Sequence, residues 1–432
     1  MTPRTVRNWA KNQACIPVDV KAPASTAEVA AAVVDAHRAG HRVKAIGAGH
    51  SFTAAAMTNG VLLSLERMNK VLDIDIARQR VTVQAGITLK ALGEHLAAAG
   101  LAMPNLGDIN VQSVAGAINT ATHGTGIDLG NLATTIVGIE LVDGRGNVVR
   151  CDEITEPELL RVGRVGIGAL GVATEVTIQC VAAFNLHAHE TVESLDDLLV
   201  DIDGFARSAD HAEFFWMPGA RRCQVKRNNR TEDPVRPPSK VAYVGDKYIA
   251  ENFGFDLVCR VGRRFPSLAP KVAKIVAAGV SERDLIDRSD KVFASPRLVK
   301  FVEMEYGIPI EHLPEAISRV RALTTTLSFP TLFPIEVRVS AADDIPLSTG
   351  YGRTNGWIAV HQYRGAPYES YFQGVENIMN DYNGRPHWGK LHFQSANTLR
   401  DRYPEWDAFT VVRDRLDPDR TLQNDYLERV LG

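Results

Sequence analysis

Two long segments of this chain carry no charged side chain, and each contains a loop of small residues. Residues 45–65 include Gly-Ala-Gly-His-Ser at positions 47–51, and residues 109–127 include Thr-His-Gly-Thr-Gly at positions 122–126. Glycine lets consecutive backbone N–H groups approach an anion, and a buried anion disfavours neighbouring carboxylates. The two segments therefore predict a pair of loops that hold a phosphate-bearing ligand, with ordinary core turns as the alternative.

Helical and strand periods alternate at short intervals over the first 180 residues. A capping box of Ser25 and Glu28 opens a helix at residues 26–39, Gly40 ends it, and a strand follows at residues 42–46. Periodicity predicts further strands at residues 61–65, 71–75, 80–84, 135–142, 146–151 and 172–180, and further helices at residues 89–96, 114–119 and 156–162. This rhythm indicates an α+β fold rather than repeated long βαβ units.

A chain of 432 residues is long enough for two domains, and after residue 180 it becomes richer in aromatic residues and in longer strands. Lys and Arg number 48 against 51 Asp and Glu, so the net charge of -3 supplies no bulk positive field for nucleic acid or an anionic membrane surface. Five basic residues between positions 221 and 230 are predicted to form a solvated face rather than an anion site.

The cysteines and the N-terminal residues bear on the compartment. The five cysteines are scattered and form no CxxC or Cys/His cluster, so neither a disulfide framework nor a metal site is predicted. The first ten residues lack the basic and then apolar pattern of a secretory signal, and both uncharged segments are too rich in Gly, Asn, Thr and His to span a bilayer. We therefore expect a cytoplasmic protein that does not insert into a membrane.

Gly166, Gly168 and Gly171 match the GxGxxG dinucleotide fingerprint. That fingerprint requires a strand before the glycines and a helix after them, whose N-terminus receives the pyrophosphate. Here the predicted helix comes first and the predicted strand follows, so a Rossmann-type NAD site is disfavoured. The small residues are expected instead to let backbone groups contact a flat ring system.

Glu336 and Arg338 stand two positions apart in a strand-like segment, so both side chains point to one face while their apolar neighbours point to the other. As an exposed ion pair they would contribute only about 0 to 1 kcal/mol. In a pocket, the arginine would keep the carboxylate ionised and the pair would orient a substrate hydroxyl. Lys390 and His361 have comparable alternatives, a solvated lysine and a hydrogen-bonded core histidine.

Several short motifs, in order along the chain, match one family of flavoproteins. They occupy residues 8–12, 47–51, 100–107, 122–126, 168–172, 336–338, 384–390 and 416–418. Through them the chain resembles, over nearly its full length, the aldonolactone oxidoreductases of the vanillyl-alcohol-oxidase superfamily. The resemblance implies a PCMH-type FAD-binding domain of two small α/β subdomains at residues 1–180. It also implies an α/β substrate-binding cap domain with a large antiparallel sheet at residues 181–405, and a segment at residues 406–432 that returns to the FAD domain.

The same resemblance implies a set of residues around FAD. They are Gly47, Ala48, Gly49, His50, Ser51, Gly107, Ser113, Gly116, Thr120, His123, Gly124 and Val172. His50 matches the histidine that carries the flavin covalently in the family, and a neutral ring nitrogen is a competent nucleophile toward an activated methyl group. A hydrogen-bonded loop histidine is the alternative. Gly107 falls where a small residue influences oxygen access, and glycine there is typical of the oxidases.

The implied reaction is oxidation of an aldono-1,4-lactone, such as L-gulono-1,4-lactone, at C2 by hydride transfer to N5 of FAD. O2 would then take the electrons and leave as H2O2, and the keto lactone would enolise to L-ascorbate or an analogue. The catalytic candidates are Glu336, Arg338, Lys390 and His361, and the candidate substrate contacts are Asp108 and Tyr363. The two cations would stabilise developing negative charge, while the proton acceptor is left open between His361 and Glu336.

Three alternatives stay open. An alditol oxidase would share the fold, the flavin linkage and most pocket residues. A lactone dehydrogenase would pass its electrons to an acceptor other than O2. A flavin-binding protein without turnover would have no need for the convergent charges at positions 336, 338 and 390.

Overall fold

The computed structural model describes residues 5–239, 252–268 and 282–432. Its strands are β1 (Val6–Arg7), β2 (Ala14–Cys15), β3 (Asp19–Lys21), β4 (Val43–Ile46), β5 (Val61–Ser64), β6 (Val71–Asp75), β7 (Arg80–Gln84), β8 (Leu101–Ala102), β9 (Ile136–Val142), β10 (Val148–Asp152), β11 (Val172–Gln179), β12 (Val181–Ala182), β13 (Asn185–Ser194), β14 (His211–Trp216), β15 (Arg222–Thr231), β16 (Arg283–Arg288), β17 (Phe301–Pro309), β18 (Ile335–Ser340), β19 (Asn355–Tyr363) and β20 (Arg385–Pro386). Its α-helices are Thr26–Arg38, Leu89–Ala98, Val114–Asn119, Pro157–Gly163, Leu195–Val200, Ile202–Ala206, Phe255–Arg264, Ser289–Val292, Leu313–Thr326, Glu369–Asn380, Ala396–Leu399, Trp406–Leu416 and Asp425–Leu431. Short 3-10 helices span Leu65–Arg67, Leu132–Thr135, Pro266–Leu268, Ile310–His312 and Arg400–Arg402.

Every helix and strand predicted for the first 180 residues is confirmed, with ends displaced by at most about two residues, the usual uncertainty of helix and strand boundaries. Of the predicted capping box, the serine half forms, whereas the Glu28 side chain bonds the residue before the N-cap rather than Ser25 itself. The Ser25 hydroxyl accepts from the backbone N–H of Glu28 at 3.2 Å, and the Glu28 carboxylate accepts from the backbone N–H of Ala24 at 2.9 Å. Gly40 follows the helix with a φ of 71°, a conformation that favours glycine.

Two small sheets organise this N-terminal part. One is a parallel sheet in the order β3-β5-β4, and the other is an antiparallel sheet in the order β10-β9-β11-β7-β6. Their apolar faces pack with helices Thr26–Arg38 and Leu89–Ala98 into one core that includes Val33, Leu63 and Leu92. The uncharged loops that follow β4 and helix Val114–Asn119 therefore lie at the rim of a single, well-packed unit.

Eight antiparallel strands form the second part, in the order β16-β13-β15-β14-β18-β19-β17-β20. Alternate residues of the central strands, among them Met304 on β17 and Val337 on β18, pack with helices Leu313–Thr326 and Glu369–Asn380 in a second core. The positions between them carry polar side chains that point away from this core, toward the N-terminal part. The predicted α+β fold with a large antiparallel sheet is confirmed.

The C-terminal residues pack against the first core. Leu399, Tyr403 and the helices Trp406–Leu416 and Asp425–Leu431 contribute side chains to it. Lys44 of β4 ties the same region together, because its Nζ donates to the carbonyl oxygens of Gly168 at 2.8 Å and Leu422 at 3.1 Å. The last residues of the chain thus lie beside the first uncharged segment.

The GxGxxG segment has the inverted context that the sequence predicts. Gly168 lies between helix Pro157–Gly163 and β11, with a φ of 71°. The five cysteines are free and buried. Within the three described ranges, no helix is both long and apolar enough to cross a bilayer.

The basic run at positions 221–230 is not a uniformly solvated face. Lys226 of β15 has its Nζ 3.2 Å from Oε1 of Glu213 on β14, and Arg227 forms an ion pair with Glu193 on β13. The prediction is wrong for these two residues, because the neighbouring strands bring partly or fully buried carboxylates beside them. Cross-strand pairing of this kind is not visible in the local sequence.

Candidate active site

Two adjoining cavities lie along the N-terminal part. The first has about 930 Å³ of space, some of it open to solvent, and the predicted residues that line it are Gly47, Ala48, Gly49, His50, Ser51, Ser113, Gly116, Thr120 and Val172. The second has about 1260 Å³ of space, also partly open to solvent, between the N-terminal part and the large sheet. The predicted residues that line it are His50, Ser51, Gly107, Asp108, Thr120, His123, Glu336, Arg338, His361 and Lys390. His50, Ser51, Gln112 and Thr120 line both cavities, so one extended ligand can occupy them together.

The first cavity owes its shape to a close approach of two backbone segments. A Cβ atom on Gly47 would lie 2.0 Å from Oγ of Ser113, so only glycine fits there. Ser113 caps helix Val114–Asn119, its Oγ accepting from the backbone N–H of Gly116 at 3.2 Å. The two uncharged segments identified in the sequence are thereby brought into contact.

The first cavity fits the FAD that the resemblance implies. Among the described residues its wall includes Lys44 but no Asp or Glu. Burial lowers the pKa of Lys44 to about 7, partly opposed by Asp417. At the junction of the cavities, Oε1 of Gln112 is buried without a hydrogen-bond partner. A wall of backbone groups, free of carboxylates and with an unpaired polar atom, suits a pyrophosphate joined to a flat ring.

Arg338 of β18 is buried in the second cavity among three carboxylates. Its Nη2 lies 2.6 Å from Oδ1 of Asp108, and its Nε donates to Oε2 of Glu213 at 2.8 Å. The third carboxylate in contact with the guanidinium is Glu336. Burial opposes the charged form, yet the three carboxylates together raise the pKa of Arg338 above its ordinary value. Arg338 is therefore a fixed cation in a wall otherwise rich in acids.

Asp108 follows Gly107 and joins its loop to the large sheet. Oδ1 faces Arg338, and Oδ2 accepts from Nη2 of Arg297 at 2.6 Å. Although burial favours the neutral acid, Arg338, Lys226 and Arg297 lower the pKa of Asp108 below its ordinary value. Asp108 therefore lines the cavity as predicted, but each of its carboxylate oxygens faces an arginine.

Glu336 differs from the other acids of the wall. Burial raises its pKa to about 8 against the opposing effect of Arg338, and the charges of Asp108, Glu213 and Glu305 add to the increase. Its Oε2 lies 4.0 Å from Nε2 of His361. This carboxyl is the one most prone to hold a proton at neutral pH.

Lys390, Glu303 and His361 form a second charged group on the wall. Lys390 forms an ion pair with Glu303, and Nε2 of His361 lies 3.4 Å from Oε1 of the same carboxylate. Although burial opposes ionisation of Glu303, Lys390 and His361 lower its pKa to about 2. The Nδ1 atom of His361 lies 3.0 Å from the carbonyl oxygen of Pro334. Because a carbonyl only accepts, Nδ1 carries a hydrogen and donates it to Pro334, while Nε2 faces the Glu303 carboxylate.

His123 is held tightly against the large sheet. Its ring stacks on Trp357 with centroids 3.7 Å apart, and its Nε2 lies 3.3 Å from Oε1 of Glu305. Its Nδ1 lies 2.8 Å from the carbonyl oxygen of Gly124. His387, which lines the same cavity, accepts from the backbone N–H of Gly389 through Nδ1, and burial lowers its pKa to about 3. The two imidazoles thus border the cavity as ordered rings.

His50 lies where the two cavities meet. Its ring stacks on Trp9 with centroids 5.1 Å apart and planes 25° apart. Burial, with Lys300 and Lys390 nearby, lowers the pKa of His50 to about 4. The imidazole is therefore neutral at physiological pH, the form in which a ring nitrogen is nucleophilic.

Two predicted site residues do not line either cavity. Tyr363 lies two positions beyond His361 on β19, where its hydroxyl donates to Oδ1 of Asp256 at 2.9 Å, so the expected substrate contact is not made. Gly124 is packed against the loop before it, because a Cβ atom there would lie 2.3 Å from Oδ1 of Asn105. This packing by itself accounts for a glycine at position 124.

Sequence reasoning missed several charged residues of the site. They are Glu213, Lys226, Arg297, Glu303 and Glu305. One signal was present for two of them. Glu303 and Glu305 alternate with apolar residues in the strand-like segment 301–309, the same pattern that marked Glu336 and Arg338. Their partners come from distant parts of the chain, so the alternation alone did not identify a site.

Comparisons with known proteins agree with this geometry. A family profile described as D-arabinono-1,4-lactone oxidase matches residues 176–430, and one described as an FAD binding domain matches residues 18–152. The chain is 47% identical to an L-gulono-1,4-lactone dehydrogenase of Mycobacterium tuberculosis, over 98% of both chains. It is 32% identical to an L-gulonolactone oxidase of Scyliorhinus torazame, over 98% of this chain and 97% of the relative.

Solved structures show the same fold. A solvent-stable cholesterol oxidase matches with a TM-score of 0.85 and 19% identity, covering 99% of this chain and 97% of the other. At that identity the likeness concerns the fold alone, and the full-length sequence relatives carry the family assignment. The chain belongs to the aldonolactone oxidoreductases, FAD-dependent enzymes of the vanillyl-alcohol-oxidase superfamily.

Proposed function

We propose that this protein oxidises an aldono-1,4-lactone of the L-gulono type at C2. The observation that carries the proposal is the convergence of Glu336, Arg338, Lys390 and His361 on the second cavity, which adjoins a first cavity that no described Asp or Glu lines. Bound FAD supplies the acceptor for the hydride, which takes both electrons of the C2–H bond. The relatives named as L-gulono-1,4-lactone dehydrogenase and L-gulonolactone oxidase support the same substrate class.

The cations of the wall bind and polarise the lactone. Arg338 is a fixed charge, and Lys390 is also cationic, because Glu303 and Glu305 outweigh burial and raise its pKa above its ordinary value. Hydrogen bonds from these groups to the lactone oxygens stabilise the negative charge that develops as the C2 hydroxyl loses its proton. Their own carboxylate partners hold them in place, so little reorganisation is needed during the reaction.

His361 is positioned to take the hydroxyl proton. The Pro334 carbonyl holds Nδ1 as a donor, so Nε2 is the ring nitrogen proposed to take the proton, and the Glu303 carboxylate 3.4 Å from Nε2 would stabilise the imidazolium. His361 would take the hydroxyl proton as a carbonyl forms at C2, and FAD held by the first cavity would supply the acceptor for the C2 hydride. The product is a keto lactone, which enolises to a product of the ascorbate type.

We propose O2 as the electron acceptor, with H2O2 as its product. Gly107 lines the second cavity, and a Cβ atom there would lie only 3.0 Å from the carbonyl oxygen of His123. The absence of that Cβ leaves the space open to a diatomic molecule. A relative that is 47% identical bears the name dehydrogenase, so the acceptor needs a direct measurement. Oxygen uptake matched by H2O2 supports O2, whereas reduction of a dye without oxygen uptake supports a dehydrogenase.

We also propose that FAD is covalently attached through His50. The support is the position of His50 on the wall of both cavities and the neutral state that burial gives its ring. Stacking against Trp9 fixes the orientation of the imidazole, which a bond to a rigid ring system requires.

The proposed function is tested by anaerobic stopped-flow mixing of the holoenzyme with L-gulono-1,4-lactone. Loss of the oxidised flavin absorbance at a saturable rate is expected, and Arg338→Met should slow it by about a hundredfold or more while FAD stays bound. Arg413→Met is a matched control, since Arg413 is a buried arginine outside both cavities. Normal reduction in Arg338→Met, or reduction by xylitol but not by the lactone, would overturn the assignment, the latter in favour of an alditol oxidase.

A further inference from the structure

The three carboxylates around Arg338 differ in how many other cations each of them contacts. Asp108 has two cationic partners, Arg338 and Arg297, each 2.6 Å away. Glu213 also has two, Arg338 at 2.8 Å and Lys226 at 3.2 Å. Within the described part of the chain, Glu336 forms an ion pair with no lysine or arginine other than Arg338.

Asp108 and Glu336 also compete for one atom. Both face Nη2 of Arg338, while its Nε is taken by Glu213. A single guanidinium cannot fully neutralise three buried carboxylates, and the acid with the fewest other cations is the one that keeps a proton. By this geometry the proton belongs on Glu336.

Every group that faces Glu336 is consistent with this conclusion. From its own strand and from the loop and strands around it, the charged or titratable neighbours are Arg338, Asp108, Glu213, Glu305, His361 and Lys390. Three of the six are carboxylates, and both cations are already shared, Arg338 with Asp108 and Glu213 and Lys390 with Glu303. Burial raises the pKa of Glu336 to about 8, and the three carboxylates add to the increase.

We propose that Asp108 is a positioning residue which, by holding Arg338, keeps Glu336 protonated, so that Glu336 serves as a hydrogen-bond donor to the substrate and not as the proton acceptor. This inference rests on the proposed function for its chemical meaning. The hydroxyl proton goes to Nε2 of His361, the hydride goes to the flavin, and Glu336 keeps its own proton throughout. A positioning role also explains why Asp108 lines the cavity and yet has an arginine against each of its carboxylate oxygens.

The test is infrared spectroscopy of the oxidised holoenzyme made with isotope-labelled glutamate, recorded between pH 6 and pH 10 without lactone. A protonated glutamate gives a carbonyl band, and the label separates it from the band of Asp343, whose pKa burial raises to about 6. In the wild type we expect a glutamate band at neutral pH that is absent in Glu336→Gln and titrates near pH 8. Asp108→Asn should lower that midpoint by about one pH unit or more.

Three further variants make the outcome decisive. Asp108→Glu restores the negative charge and should bring the midpoint back toward the wild-type value. Glu376→Gln is the control, because Glu376 is a buried glutamate bound to the Tyr306 hydroxyl outside the cavity, and it should leave the midpoint unchanged. If Asp108→Asn does not fold, Glu213→Gln takes its place, since it removes a carboxylate from the other side of Arg338 and should shift the midpoint the same way.

A missing glutamate band at neutral pH, or an unchanged midpoint in a folded Asp108→Asn or Glu213→Gln protein, overturns the proposal. Because the measurement needs no lactone, its failure is distinguishable from failure of the proposed function. A second readout uses the lactone itself. Asp108→Asn should weaken lactone binding at pH 8 more than at pH 6, because the ionised Glu336 can no longer donate a hydrogen bond.

Discussion

The indole of Trp9 stacks on the imidazole of His50, with ring centroids 5.1 Å apart, and the ammonium of Lys300 lies 3.7 Å from the centroid of the same indole. Trp9 comes from the N-terminal residues and Lys300 directly precedes β17, so the contact joins both parts of the molecule at the junction of the two cavities. It orients the one histidine that lines both cavities among the described residues.

The first prediction concerns attachment of the flavin. His50→Ala should give protein whose yellow colour passes into the supernatant after acid precipitation, because the nucleophilic nitrogen is gone. Trp9→Ala should give a mixture of bound and released flavin, since it removes the ring against which His50 stacks. The absorbance of pellet and supernatant measures both. His361→Ala serves as the control histidine of the same cavity and should keep its colour in the pellet. Flavin retained in the pellet of His50→Ala excludes this site of attachment.

The second prediction concerns the electron acceptor. Gly107→Ala adds a methyl group 3.0 Å from the carbonyl oxygen of His123, a tight but tolerable contact. Reoxidation of the reduced enzyme by O2 should slow by about tenfold or more, equivalent to about 1.4 kcal/mol in the barrier. Anaerobic reduction by the lactone should change little, because the charged residues of the wall are untouched. Rapid mixing of the reduced protein with oxygenated buffer measures the first rate. Equal reoxidation rates in both proteins would remove Gly107 from the route of oxygen.

The third prediction separates packing from cofactor binding at Gly124. A Cβ atom there would lie 2.3 Å both from Oδ1 of Asn105 and from the carbonyl oxygen of Leu106. Gly124→Ala should therefore lower the free energy of unfolding by about 1 to 3 kcal/mol, as overpacking in a core does. Denaturant unfolding followed by circular dichroism gives the value. Unchanged stability together with weaker FAD binding would instead assign Gly124 to the cofactor site.

The sequence predicts those features of the fold that depend on neighbouring residues alone. Each helix and strand that periodicity and capping predict in the first 180 residues forms, although the short strands β1, β2, β3 and β8 were not predicted. The alternation of Glu336 and Arg338 places both on one face of β18. The same alternation predicts little about partners. Arg338 binds Glu213 from 125 positions away, and that contact depends on the order of eight strands, which no local pattern specifies.

Tyr363 is a second residue whose surroundings the sequence pattern does not predict. It shares a strand face with His361, so the sequence offers no reason to separate them. Only the tertiary structure does so, because His361, Phe255 and Phe333 line the cavity, whereas Tyr363 packs behind that wall in an apolar cluster with the two phenylalanines and does not line it. Resemblance to a family likewise identifies candidate site positions in the sequence. Only the structure shows which residue each of those side chains contacts.

The last prediction concerns the buried ion pair of Lys390 and Glu303. Lys390→Met leaves the Glu303 carboxylate buried beside His361 alone, and removing one partner of a buried pair costs about 3 to 5 kcal/mol of folding stability at neutral pH. The double variant Lys390→Met with Glu303→Gln removes both charges and should recover most of that loss. Reduction of the flavin by the lactone should stay slow in both, because the cation that binds the substrate oxygens is missing. Denaturant unfolding and anaerobic stopped-flow measure the two effects separately.

The pH dependence of the same variant follows from the lowered pKa of Glu303, about 2 in the folded protein. A carboxyl whose pKa falls on folding stabilises the protein above its unfolded pKa of about 4.3, and that contribution is lost as the pH drops through the folded value. In Lys390→Met, burial of Glu303 is no longer opposed by the lysine, so its folded pKa rises. The unfolded state is common to both proteins, so their stability difference should be full above that raised pKa and shrink as the pH falls from it toward about 2. If the stability difference stays constant from pH 6 to pH 3, Lys390 stabilises the fold by packing alone, and its positive charge does not stabilise the ionised Glu303 carboxylate.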